Sequence, residues 1–192
     1  ATDRILHQFN MIGIDITDQH KEIVDLYIDH LNSDITTNLG RRTHLILSSL
    51  SLREGSRFVN SSIEIAKKIN DPLIIIGLPR SGTTNLHNLV IDNLGYSGLR
   101  YWQLTSPSSR FKNKTLDHLS RKTRSLFGFY LYRYLVPSIQ KMHKLKMSTY
   151  EECWNFQKTM FLCYNYVIQL KFHKFEEHLL NIDTSIVHRE YK

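Results

Sequence analysis

Leu73-Ile74-Ile75-Ile76-Gly77-Leu78-Pro79-Arg80-Ser81-Gly82-Thr83-Thr84 combines an apolar run, a glycine-rich turn and the start of a new period. The first four residues are β-branched or leucine, unbroken between Asp71-Pro72 and Gly77. That is the pattern of a strand buried on both faces of a parallel sheet. Beyond the turn, Leu86, Leu89, Val90 and Leu94 recur at helical spacing, and Gly95 is placed to end the helix in a left-handed conformation. The expected order is strand, loop, helix, with Tyr96 to Trp102 as a second short strand.

Helices are expected on either side of this unit. Ile23, Val24, Tyr27, Ile28 and Leu31 mark an amphipathic helix over Gln19 to Leu31, and Phe58, Val59, Ile63, Ala66 and Ile69 mark another over Ser56 to Ile69. Further on, Leu119, Thr123, Leu126, Phe127, Tyr130, Leu131, Tyr134 and Leu135 share one stripe that Pro137 stops. An aromatic stripe at that spacing reads as core, although Phe127 to Tyr134 would also suit an acceptor pocket. Ser148 and Thr149 precede Glu151 and Glu152 by three residues each, the spacing of a capping box. Trp154, Met160, Phe161, Tyr164, Val167 and Ile168 then define a last helix.

The chain has 192 residues, 41% of them hydrophobic, enough for one domain with a buried core. No repeat or low-complexity linker divides it. A net charge of +7 and a pI near 9.4 favour anionic partners without choosing among them. No apolar run reaches the roughly 20 residues a membrane span needs. Cys153 and Cys163, ten apart in the expected last helix, would lie about 15 Å from each other, too far for a disulfide. Reduced thiols fit a cytoplasmic protein, although a chain beginning at Ala1 leaves room for an upstream targeting segment. Lys141, His143, Lys144 and Lys146 read as a solvated face. No Cys/His spacing suggests a metal.

A glycine turn between strand and helix presents backbone N–H groups at the positive end of the helix, a ready anion site. Gly77 and Gly82 match the opening of the phosphate-loop pattern GxxxxGK[ST]. Thr83, however, stands where nucleotide triphosphatases have their lysine, and the loop's cation is Arg80. That weighs against ATP or GTP hydrolysis. An ordinary strand-to-helix turn would not need Arg80, Ser81 and two threonines.

The residues Pro79-Arg80-Ser81-Gly82-Thr83-Thr84 followed by Leu86-His87-Asn88-Leu89 resemble the 5′-phosphosulfate loop of sulfotransferases that use 3′-phosphoadenosine 5′-phosphosulfate. The likeness is to the bacterial branch related to the tyrosylprotein enzymes. Arg100-Tyr101-Trp102, Pro107 and Glu151-Glu152 also resemble positions of that branch. The resemblance is strong over Leu73 to Trp102 and weak from about residue 30 to the C-terminus. It implies an α/β fold of the phosphate-loop type with a parallel sheet, helix-rich and truncated at the C-terminus. The whole chain, residues 1–192, would be one incomplete sulfotransferase domain. Its parts would be an N-terminal helical part (1–70), a donor-binding strand-loop-helix (71–95) and a helical acceptor-side part (96–192).

The resemblance also implies roles. Gly77, Pro79, Arg80, Ser81, Gly82, Thr83 and Thr84 would bind the donor, with Arg80 on the bridging and phosphate oxygens as the sulfuryl group leaves. No metal is required. The acceptor would offer a hydroxyl or amine on a small molecule, carbohydrate, lipid or peptide, and nucleic acid is not an expected partner. Two departures stand out. Relatives carry a glutamate, a plausible base, where this chain has Gln103, and a neutral amide cannot take the acceptor's proton. The chain also stops at Lys192, ahead of the arginine and serine that hold the donor's 3′-phosphate. Glu151, Glu152 and His87 are then the candidate bases, with one of the glutamates preferred. Against this stand a capping role for the glutamates and a backbone-satisfied His87. The alternatives are a nucleotide kinase or hydrolase, and a non-catalytic anion-binding module or inactive fragment.

Overall fold

A computed structural model describes residues 2–11, 18–33, 36–60, 73–78, 81–135 and 146–181. Among these the chain is helical: α1 (Thr2–Met11), α2 (Asp18–Asn32), α3 (Asn38–Asn60), α4 (Thr83–Leu94), α5 (Tyr101–Thr105), α6 (Lys114–Leu135), α7 (Trp154–Gln157), a 3₁₀ turn (Lys158–Met160), α8 (Asn165–Leu170) and α9 (His173–Asn181). The expected parallel sheet is not formed by the described residues. No strand forms among the described residues, and β pairing is limited to one antiparallel bridge, Arg100 to Tyr150. An α/β fold with a parallel sheet is therefore not what these residues build.

The reason lies in burial. The run 73–78 has no regular secondary structure, and Leu73, Ile74, Ile76 and Leu78 are exposed. An apolar run becomes a buried strand only when neighbouring strands supply ladder partners and covering layers. Tyr96 to Trp102, the expected second strand, contributes the single bridge and then turns into α5.

The core forms where α2 and α3 meet the C-terminal helices. Val24, Tyr27 and Leu31 of α2, Leu52 of α3, and Met160, Phe161, Tyr166, Phe172 and Phe175 are buried together. Their rings meet edge-on, Tyr27 with Phe161 at 5.0 Å and Phe161 with Phe175 at 5.6 Å, the geometry their quadrupoles favour. Two phenols in this core are satisfied through one hydroxyl, Ser48 Oγ lying 2.8 Å from the Tyr27 and 3.4 Å from the Tyr166 oxygen. Burial pushes both phenols well above their ordinary pKa, which keeps them neutral hydrogen-bonding groups. α2 is tied to the far end of the chain by His30, whose Nε2 is 2.7 Å from the Leu170 carbonyl oxygen and whose ring stacks on Phe172.

Periodicity located α2 and α4 well, and Gly95 does close α4 with a φ of 73°. The helix expected over Ser56 to Ile69 overlaps only the end of α3, and the rest lies outside the described residues. The single helix expected from Trp154 to Ile168 is instead α7, the 3₁₀ turn and α8, because Phe161 takes a φ of 59° and breaks it. Cys153 and Cys163 thus do not share a helix. Both are free, and burial raises both thiols. No helix begins at the expected capping box either: α7 starts at Trp154, with Cys153 before it. Pro137, Lys141, His143 and Lys144 lie outside the described residues, and Lys146 is exposed.

α6 covers the expected stripe from Leu119 to Leu135 and begins earlier, at Lys114, but its orientation is the opposite. Leu119, Leu126, Phe127, Tyr130 and Tyr134 are exposed, while Asp117, Ser125 and Phe129 are buried. The inward side is chosen by polar anchoring. Arg121 Nε donates to the Ser106 carbonyl at 2.7 Å, Arg124 donates to the Ser108 carbonyl at 2.6 Å, and Ser125 Oγ meets Thr105 Oγ1 at 2.6 Å.

Two glycines give opposite expectations. A methyl on Gly55 of α3 would run into the Thr159 carbonyl oxygen, whereas one on Gly128 of α6 meets nothing within 4 Å. Overpacking against backbone outweighs the helix propensity gained, so Gly55→Ala is expected to lose about 1–2 kcal/mol. Gly128→Ala should gain about 0.5–1 kcal/mol from propensity alone. Urea unfolding of both variants checks the pair, and equal effects would contradict this packing of α3 on the 3₁₀ turn.

Candidate functional site

The loop before α4 folds on itself. The Ser81 N–H donates to the Leu78 carbonyl at 3.1 Å, and Gly82, with φ 91° and ψ 14°, turns the chain into α4. A Cβ at position 77 would lie 2.6 Å from Thr83 Cγ2 and 2.8 Å from Ser81 Oγ, so those side-chain ends would have to shift. Glycine thus lets Thr83 and Ser81 approach closely at 77, and suits the left-handed backbone at 82. Gly82 offers no side chain to cap the helix, so the first turn keeps its donors for another acceptor. Pro79 and Arg80 lie outside the described residues.

The side-chain hydroxyls of that turn meet a carboxylate. Thr83 Oγ1 donates to Glu152 Oε1 at 3.0 Å, and Thr84 Oγ1 donates to the same oxygen at 2.7 Å. Glu152 stands at the start of α4, where the helix dipole favours a negative charge. Its place is fixed by backbone: Arg100 bridges Tyr150, and the Glu151 N–H donates to the Leu99 carbonyl at 3.1 Å. Asn88, on α4, donates to the carbonyls of Thr84 at 2.8 Å and Tyr150 at 3.2 Å, pinning the 150–152 segment to the helix. Asn88 has no role that its place in the motif alone would assign. A polar residue four positions after Thr84, on the same side of the helix, was the available signal.

The other candidate bases go elsewhere. Glu151 is buried and accepts a 3.2 Å hydrogen bond from Thr149 Oγ1. Tyr101 lies close by; burial raises its phenol far above the usual range, and the charges of Tyr132 and Glu151 add to that. His87 packs beside Gly98, its Nε2 3.2 Å from where a Cβ there would stand. Gln103 is used locally, its Oε1 accepting the Arg100 N–H at 2.8 Å at the start of α5. Arg100 itself donates to the Ser148 carbonyl at 2.6 Å and to the Tyr150 hydroxyl at 3.2 Å. Of the proposed residues, the structure thus brings together Gly77, Ser81, Gly82, Thr83, Thr84 and Glu152, with Glu151 and His87 facing other neighbours.

A second charged cluster escaped the sequence reading. Glu54 of α3, nearly buried, accepts from Ser108 Oγ at 2.7 Å, Arg110 at 3.0 Å and Arg124 at 3.3 Å, with Arg57 at 3.5 Å. Only the Glu54/Arg57 spacing was visible along the chain; the other partners are 54 to 70 residues away. Asp117 accepts the Arg110 and Phe111 N–H groups, which lower its carboxyl despite the opposing effect of desolvation. The cluster fixes the 106–111 segment between α3 and α6.

Among the described residues no helix is long and apolar enough to cross a membrane, and no group of three or more His, Cys, Asp or Glu is placed to hold a metal ion. Compared with known proteins, the chain matches no family model, no curated protein and no solved structure.

Proposed function

We propose that the chain binds the phosphosulfate end of 3′-phosphoadenosine 5′-phosphosulfate in the 77–84 loop and belongs to a sulfotransferase. The observation that carries this reading is the pair of threonine hydroxyls at the start of α4, already engaged with an anionic oxygen. The loop motif supplies the chemistry. Arg80 neutralises charge on the leaving bisphosphate, and the Ser81 to Thr84 amides and hydroxyls hold the 5′-phosphate. An acceptor oxygen or nitrogen attacks sulfur in line, the bond from sulfur to the bridging oxygen breaks, and the acceptor's proton passes to a nearby base. Glu152 is the base candidate nearest the loop hydroxyls. This reading does not require a parallel sheet; it needs the tight glycine turn and the helix that follows it. It takes the cytoplasm as the compartment, in keeping with the two free thiols.

Calorimetric titration tests it. 3′,5′-Bisphosphoadenosine is expected to bind at least about ten-fold more tightly than ATP, since Thr83 replaces the lysine that reaches β and γ phosphates. Equal or tighter binding of ATP would move the reading to a nucleotide kinase.

A further inference from the structure

Each threonine hydroxyl has one proton to donate, and in this structure both protons go to Glu152 Oε1. While they do, neither hydroxyl can donate to a phosphate oxygen. A carboxylate and a phosphate at one helix start also repel each other. The tether that brings Glu152 there is backbone, from the Arg100 bridge and the Glu151 N–H. The side chain can therefore rotate away while that tether stays intact.

We infer that Glu152 is a built-in competitor for the donor loop: its carboxylate holds the place of the donor's phosphate on Thr83 and Thr84 and must leave when that phosphate binds. The inference rests on the donor reading above and gives it a regulatory element. Affinity for the donor is set by the loop's contacts less the cost of displacing Glu152. The two anions bind in exchange, so anything that draws the Glu152 carboxylate elsewhere opens the loop.

The test uses the 192-residue chain with 3′,5′-bisphosphoadenosine and, separately, inorganic pyrophosphate as calorimetric ligands. Glu152→Gln is expected to bind both about ten-fold more tightly than the unmodified chain, because the competing charge is gone. Glu152→Ala should move in the same direction, with thermal melts showing that both variants fold. Unchanged or weaker binding of both anions in the variants overturns the inference and makes Glu152 a structural or donor-binding group. If pyrophosphate binding tightens while neither protein binds the nucleotide, the displacement stands and the donor reading fails. Failure of every form to bind either anion overturns both.

Discussion

On the proposed sulfotransferase reading, Arg80→Ala is expected to lower the turnover of sulfuryl transfer by about 10²–10³-fold, while affinity for 3′,5′-bisphosphoadenosine changes by less than about ten-fold. Negative charge on the bridging oxygen grows as the bond to sulfur lengthens, so a cation aimed there acts more strongly on the transition state than on the bound donor. Release of the bisphosphate from the donor, measured against a panel of hydroxyl and amine acceptors, gives turnover, and calorimetry gives affinity. Arg80→Lys should fall between, keeping the charge and losing the planar fork. A large loss of affinity with unchanged turnover would assign Arg80 to plain binding.

Glu54→Ala is expected to lower the unfolding free energy by about 3–5 kcal/mol, because removing one partner of a buried ionic cluster strands the others. Glu54 and Arg124 keep only 12% and 16% of their side-chain surface, so water cannot replace the lost contacts. Burial already pulls the Arg124 guanidinium down, and the Glu54 charge is the first effect opposing it. Arg57 and Arg110, with 44% and 35% of their side chains exposed, would contribute less. Urea unfolding reads the change, and Glu54→Gln should lose less, since an amide oxygen still accepts one hydrogen bond. A loss below about 1 kcal/mol in the alanine variant would mean that solvent reaches the cluster and screens it.

What could be read along the chain was whatever is local. The period of Ile23, Val24, Tyr27 and Leu31 gives α2, and Gly82 and Gly95 bound α4, because spacing and backbone freedom are properties of neighbouring residues. The run Leu73 to Ile76 failed as a strand for the complementary reason. Strand formation depends on partners far away, and among the described residues none pairs with it. The Leu119 to Tyr134 stripe showed a helix without showing which side faces in; Arg121, Arg124 and Ser125 settled that through contacts with residues 105–108. At the site, the glycines and threonines were evident from the motif. The bond from both threonines to Glu152 spans 69 and 68 residues and could not be seen before the chain was folded.

The inverted α6 has a thermodynamic consequence. A helix held by arginine and serine contacts, with most of its leucines and aromatics already in water and Phe129 buried against Tyr101, uncovers less fresh apolar surface when it comes away than a helix with an apolar inner face. Heat capacity tracks newly wetted apolar area, so the undocking of α6 carries a small increment for a 22-residue helix. Its attachment then depends less on temperature than that of the aromatic core around Tyr27.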